Sequence, residues 1–195
     1  MAYSFLMNKT TGKPGVYFQD TLPVLWTNTG RPLKESDLHH QHQANEMLLA
    51  ALLALDETTA EREEDEIARG KEHHWQRIDS KLNLLLSLVS EVLVKQLGIP
   101  PCRDVRLCAT QIEISLLDSD QPPRLGELLE LRTYLQAAIP KPLILNGKVE
   151  SLGNKSFVVK FVSHGDAQRE LLEKFVFRQH RRAIAQARGS VKFHT

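Results

Sequence analysis

From about Ala60 to Leu97 the chain contains no proline, and its positions repeat at alternating steps of three and four: Ala68, Lys71, Trp75, Ile78, Leu82, Leu85, Val89, Val92 and Gln96. That is a heptad seam, and it predicts one long helix, despite the weak helix former Gly70 near its start. A helix of about 35 residues is roughly 50 Å long, more than a small domain covers. A second row, with Leu86, Leu88 and Leu93, widens the apolar face beyond the stripe of a simple two-stranded coil and favours three or four strands. Two arrangements bury such a face: a hairpin with residues 38–57 of the same chain, or self-association of several copies. The candidate oligomerisation residues are Trp75, Ile78, Leu82, Leu85, Val89 and Val92.

The remaining elements follow from the same kind of reading. Residues 1–36 hold Pro14, Pro23 and Pro32 among Gly, Thr and Asn, which favours loops and short extended pieces; VYFQDTLPVLW is a candidate short strand or packing arm. Ser36 is a candidate cap for a first helix that carries Leu38, Met47, Leu48, Leu52 and Leu55 and ends near Thr58, with Thr59 starting the next. Gly98 followed by Pro100 and Pro101 stops the long helix. Beyond it the period drops to two: VRLCATQIEISLLD reads as one or two strands, ELLELRTYL as a strand, KPLILNGKVESL as a strand pair or one bent strand, and SFVVKFV as the last. No crossover helix intervenes, so the sheet is antiparallel and closed or nearly so. A final helix from Asp166 to about Arg188 places Leu172, Phe175, Val176, Gln179 and Ala183 toward the barrel and Lys174, Arg178, Arg181 and Arg188 outward. The expected class is α+β: an N-terminal arm (1–36), a helical oligomerisation region (37–98), a small antiparallel barrel with its terminal helix (99–188) and a tail (189–195).

Charge refines this outline. The 195 residues carry a formal net charge of +1, yet seven acids crowd between Asp56 and Glu66, and seven Lys or Arg lie between Arg169 and Lys192. Such segregation suits either solvated helix faces or docking between chains, while the overall balance gives nucleic acid no help. Lys174, Arg178, Arg181, Arg182 and Arg188 form the candidate anion or partner surface. The first residues lack a basic start followed by an apolar core, and the two cysteines, Cys102 and Cys108, suit a reducing cytoplasm. Cys108 reads as a small apolar residue inside a strand, and Cys102, beside the prolines, as exposed. No catalytic signature is present: there is no phosphate-binding glycine loop, no H-E-x-x-H and no G-x-S-x-G. His39 and His42, with Glu46 a turn on, have metal-compatible spacing without a supporting cysteine pair, so no metal or cofactor is assigned. His73 and His74, next to Trp75, are placed to weaken association when protonated.

The run GKVESLGNKSFVVKFVSHGDAQRELLEKFVFRQHRR, preceded by LGELLELRTYL after a proline-rich turn, resembles the PilZ domain over about residues 103–185. The resemblance implies a barrel with a C-terminal helix and a regulatory role without catalysis, linked to type IV pili, motility or cyclic diguanylate signalling in bacteria. It also implies a protein partner in that machinery and a cytoplasmic location, with the inner membrane reached through partners. The family binds the dinucleotide through R-x-x-x-R just before the first barrel strand and D/N-x-S-x-x-G at the strands that follow. In GIPPCRDVRLCATQIEIS there are only Arg103 and Arg106, three apart, which read as flanking solubilising charges, and the second motif is absent, with bulky Ile112 near the place of its glycine. The R-x-x-x-R that does occur, Arg178 and Arg182, lies after the barrel, on the last helix. The chain therefore resembles a non-canonical member that keeps the barrel without the usual nucleotide site; the alternative is a receptor with a rearranged site.

Overall fold

A computed structural model describes residues 16–31, 34–64, 81–82, 84–85, 88–89, 98–136, 139, 141–162 and 165–191. Six strands, β1 (Phe18–Asn28), β2 (Cys102–Leu107), β3 (Gln111–Ser115), β4 (Leu128–Thr133), β5 (Leu143–Leu152) and β6 (Ser156–Phe161), close into an antiparallel barrel in the order β1-β2-β3-β6-β5-β4. Among the described residues the helices α1 (Glu35–Glu64) and α2 (Asp166–Val191) pack on the barrel and on each other.

The barrel takes its first strand from the segment read as an arm. β1 pairs with β2 from Phe18 to Pro23 and with β4 from Val24 to Asn28. Pro23 has no N–H to contribute to a ladder, and it sits where the strand passes from one partner to the other. Its carbonyl still accepts from the amide of Tyr134 at 3.1 Å. Phe18, Leu22 and Val24 point inward, so the period-two pattern survives the proline.

Residues 143–152 form one strand, not two, with an irregularity between Val149 and Ser151. Asn146 and Gly147 lie inside it, and Gly147 is required by close approach to β6: a Cβ there would stand 2.3 Å from Val159 Cγ1 and 2.8 Å from the Lys160 carbonyl oxygen. α1 runs on to Glu64 through Thr58 and Thr59, where a helix boundary was expected. Two threonines cost only a few tenths of a kcal/mol each relative to alanine, and no glycine or proline lies between Glu35 and Glu64 to end the helix.

One apolar core joins the layers. Leu107, Ile112, Ile114, Leu131, Leu143, Leu145, Phe157 and Val159 fill the barrel; Leu48, Leu49, Leu52 and Leu53 enter from α1, and Leu172, Phe175 and Val176 from α2. Phe175 meets Phe18 edge to face, with centroids 5.8 Å apart. Ala183, expected to face the barrel, is exposed, because α2 has by then run past the core. The helices run in the same direction: a Cβ on Gly165, just before α2, would lie near His42 and Glu46, and thirteen residues on Arg178 reaches Leu53.

Candidate functional site

Three surfaces bear on function. The first is the root of the barrel, where Arg103 leaves the proline stop and enters β2. Its side chain is only 6% exposed, which corrects its reading as a solubilising charge. The guanidinium fork grips Asp120, Nε to Oδ2 at 3.0 Å and Nη2 to Oδ1 at 2.6 Å, while Nη1 donates to the carbonyls of Val24 at 2.7 Å and Pro101 at 3.0 Å. The Trp26 ring lies against it at 4.6 Å. The hydrogen bonds from Arg103 hold the Asp120 carboxyl below its usual range. Arg103 is thus committed to the fold. Arg106 is exposed, with its guanidinium 3.7 Å above the Tyr17 ring.

Ile112 is fully buried inside the barrel, with Glu113 on the outer side. Its bulk therefore does not obstruct the outer wall, and the case against a ligand there rests on the missing arginines rather than on a clash. Cys102 is exposed as expected, whereas Cys108 lies in the turn after β2, half-buried rather than in a strand interior. Burial pushes the Cys108 thiol up from its ordinary value. Among the described residues no group of three metal-ligating side chains converges, His39, His42 and Glu46 included.

The second surface lies between the helices. A groove of about 780 Å³ is lined by Ala50, Leu53, Ala54, Leu171 and Ala185 together with Lys174, Phe177, Arg178, Arg181 and Arg182. Four of the five candidate anion or partner residues meet here, interleaved with apolar side chains that charge counting missed. Arg178, expected to point outward, is half-buried and donates from Nη1 to the Leu53 carbonyl at 2.6 Å. This contact helps to hold α2 against α1.

The third surface precedes the proline stop. Lys81, Leu82, Leu84, Leu85, Leu88 and Val89 are helical, and the five apolar side chains among them are each 50–60% exposed. Trp75, Ile78 and Val92 lie outside the described residues, as do His73 and His74.

A closed six-stranded antiparallel barrel followed by a helix that packs on it is the architecture the resemblance implied. A family model described as "Atypical PilZ domain, cyclic di-GMP receptor" matches residues 49–189, and the chain belongs to that family. The match begins inside α1, so β1 lies outside it. A crystal structure from Xanthomonas campestris, described as a pathogenic protein with a tetrameric PilZ domain self-assembled via an unusual helical bundle, shares the fold. Its TM-score is 0.65 at 23% identity, with 89% of this chain and 93% of that chain covered. No curated protein matches the sequence.

Proposed function

We propose that the chain is a non-enzymatic regulatory adaptor that works as a homo-oligomer, a trimer or tetramer, in type IV pilus, motility or cyclic diguanylate-linked signalling of bacteria. The observation that carries this reading is the cluster of five large apolar side chains at Leu82, Leu84, Leu85, Leu88 and Val89, half or more exposed along two turns of helix. Leaving them in water is unfavourable by about 25 cal/mol for each Å² of apolar surface, which favours burial against other copies. The helical bundle that assembles the Xanthomonas tetramer supports the same arrangement. In this reading the segment that carries Leu82 to Val89 joins the copies, α1 being packed on its own barrel, and each barrel meets a protein partner, where several weak contacts held together give strong binding.

The engagement of Arg103 with Asp120 supports a domain without the usual nucleotide clamp. The family description favours a second reading, a cyclic diguanylate receptor with a rearranged site, in which Arg106, exposed on β2, is the available cation. Two measurements separate the possibilities. Ultracentrifugation of the full chain should give a trimer or tetramer, and changing Leu85 and Val89 together to Glu should break it, because buried unpaired carboxylates are costly. A parent mass retained by that double variant sinks the seam. Calorimetry with cyclic diguanylate should show no heat of binding, and a saturable isotherm would establish the second reading.

A further inference from the structure

We propose that the exposed stripe of α2, together with the groove beside it, docks on an anionic phospholipid bilayer. From Lys174 to Val191 the helix carries five Lys or Arg and no Asp or Glu. Lys174, Phe177, Arg181 and Ile184 follow one another at steps of three and four and so occupy one row on the helix, with cation and large apolar residue alternating. Phe177 is 51% and Ile184 39% exposed, and neither belongs to the buried core.

Each side chain in the row suits the boundary between headgroups and acyl chains. Phe177 and Ile184 offer apolar surface to the upper acyl region, and Lys174 and Arg181 carry their charge outward on long stems toward lipid phosphates. The Arg181 guanidinium stands 5.9 Å from the Phe177 ring, so the cation is held beside the apolar group it would accompany. Lys174 pairs with Glu170 at 2.7 Å with both side chains exposed, and such surface pairs exchange readily for other anions. The groove continues the apolar surface beside the row over Leu53, Leu171 and the alanines. Its aliphatic lining accepts acyl chains, and the row presents one exposed ring, Phe177, rather than the series of aromatic platforms on which successive bases stack, which favours a bilayer over nucleic acid.

Direct contact of α2 with lipid does not depend on how many copies assemble. The full chain is sedimented with vesicles of phosphatidylglycerol and phosphatidylcholine, and separately with pure phosphatidylcholine. Binding to the anionic vesicles is expected, weakened by about 0.5 M salt, and near background on neutral ones. Lys174→Gln with Arg181→Gln should weaken binding about 10- to 25-fold, roughly fivefold per cation, while Arg181→Lys should stay within about twofold of the parent. Phe177→Ser should also weaken it. Equal binding to neutral vesicles, unchanged binding by the double glutamine variant, or retention on DNA without vesicle binding overturns the proposal. Mass measured on the same samples keeps the two ideas apart: a monomer that still pellets with anionic vesicles removes the assembly reading alone, and an oligomer that fails to pellet removes this one.

Discussion

The side-chain amide of Asn45 takes both backbone groups of Ile144: Nδ2 donates to the carbonyl at 2.6 Å, and Oδ1 accepts from the amide at 3.0 Å. On its β4 side Ile144 faces Arg132, but the β5–β6 ladder begins only at Gly147. Asn45 thus supplies from α1 the rung that no strand provides, and Gln41, one turn earlier, accepts from Asn146 Nδ2. Asn45→Ala should cost about 2–3 kcal/mol, since it leaves two backbone groups without partners in a buried place. Urea melts of parent and variant measure this; a difference under about 0.5 kcal/mol would mean that water substitutes for the amide.

Arg103 and Asp120 give a pH prediction with a defined sign. The carboxyl titrates lower in the folded state than in the unfolded chain, because Arg103 hydrogen-bonds its ionised form. The pair therefore stabilises the fold above the ordinary aspartate pKa of about 3.9, and that contribution disappears as pH falls through the lower folded value. Asp120→Asn should be less stable than the parent at pH 7, with the gap narrowing below about pH 4. A gap that stays constant from pH 7 to pH 3 would exclude the carboxyl as its source. Arg103→Met should cost about 3–5 kcal/mol, as it strands Asp120 in a largely enclosed place.

At Gly147 the prediction is steric. Gly147→Ala brings a methyl group against Val159 and the Lys160 backbone, and it should lower stability by about 1–3 kcal/mol without changing the secondary structure. Thermal melts followed by circular dichroism test this. A melting temperature equal to the parent's would show that β5 and β6 separate at little cost.

The thiols should differ in reactivity. Cys102 is exposed, while Cys108 is half-buried and its pKa is raised, which leaves it with less thiolate near neutral pH. Maleimide at pH 7 should label Cys102 first, and mass spectrometry of digested samples shows the order. Faster labelling of Cys108 would contradict its enclosure in the β2–β3 turn.

Periodicity carried most of the fold. The alternation in QIEIS and SFVVKF and the three-to-four spacing of Leu172, Phe175 and Val176 reported the barrel and its last helix, because each of those elements buries one face. β1 was less legible. Its proline reads locally as a breaker and is harmless only because the ladder changes partner there, which no single segment reveals. Arg103 misled for a similar reason: a lone arginine beside a turn carries no mark of Asp120, seventeen residues away, or of Trp26 on another strand. The basic end of the chain was visible as charge, but the apolar groove beside it was not, since Ala50, Leu53 and Ala54 come from a helix more than a hundred residues earlier.

The order of strands along the chain also constrains how the molecule forms. Pro23 pairs with Cys102, so the first seam of the barrel joins residues separated by 79 positions, with α1 and the leucine-rich segment between them. During synthesis β1 emerges early and has no neighbour until β2 and β4 follow. Closing so large a loop is entropically slow, and an unpaired strand edge invites pairing with other chains. The leucine-rich segment is complete before β2, so if it joins copies as proposed, chains made on neighbouring ribosomes would meet through it while their barrels are still open.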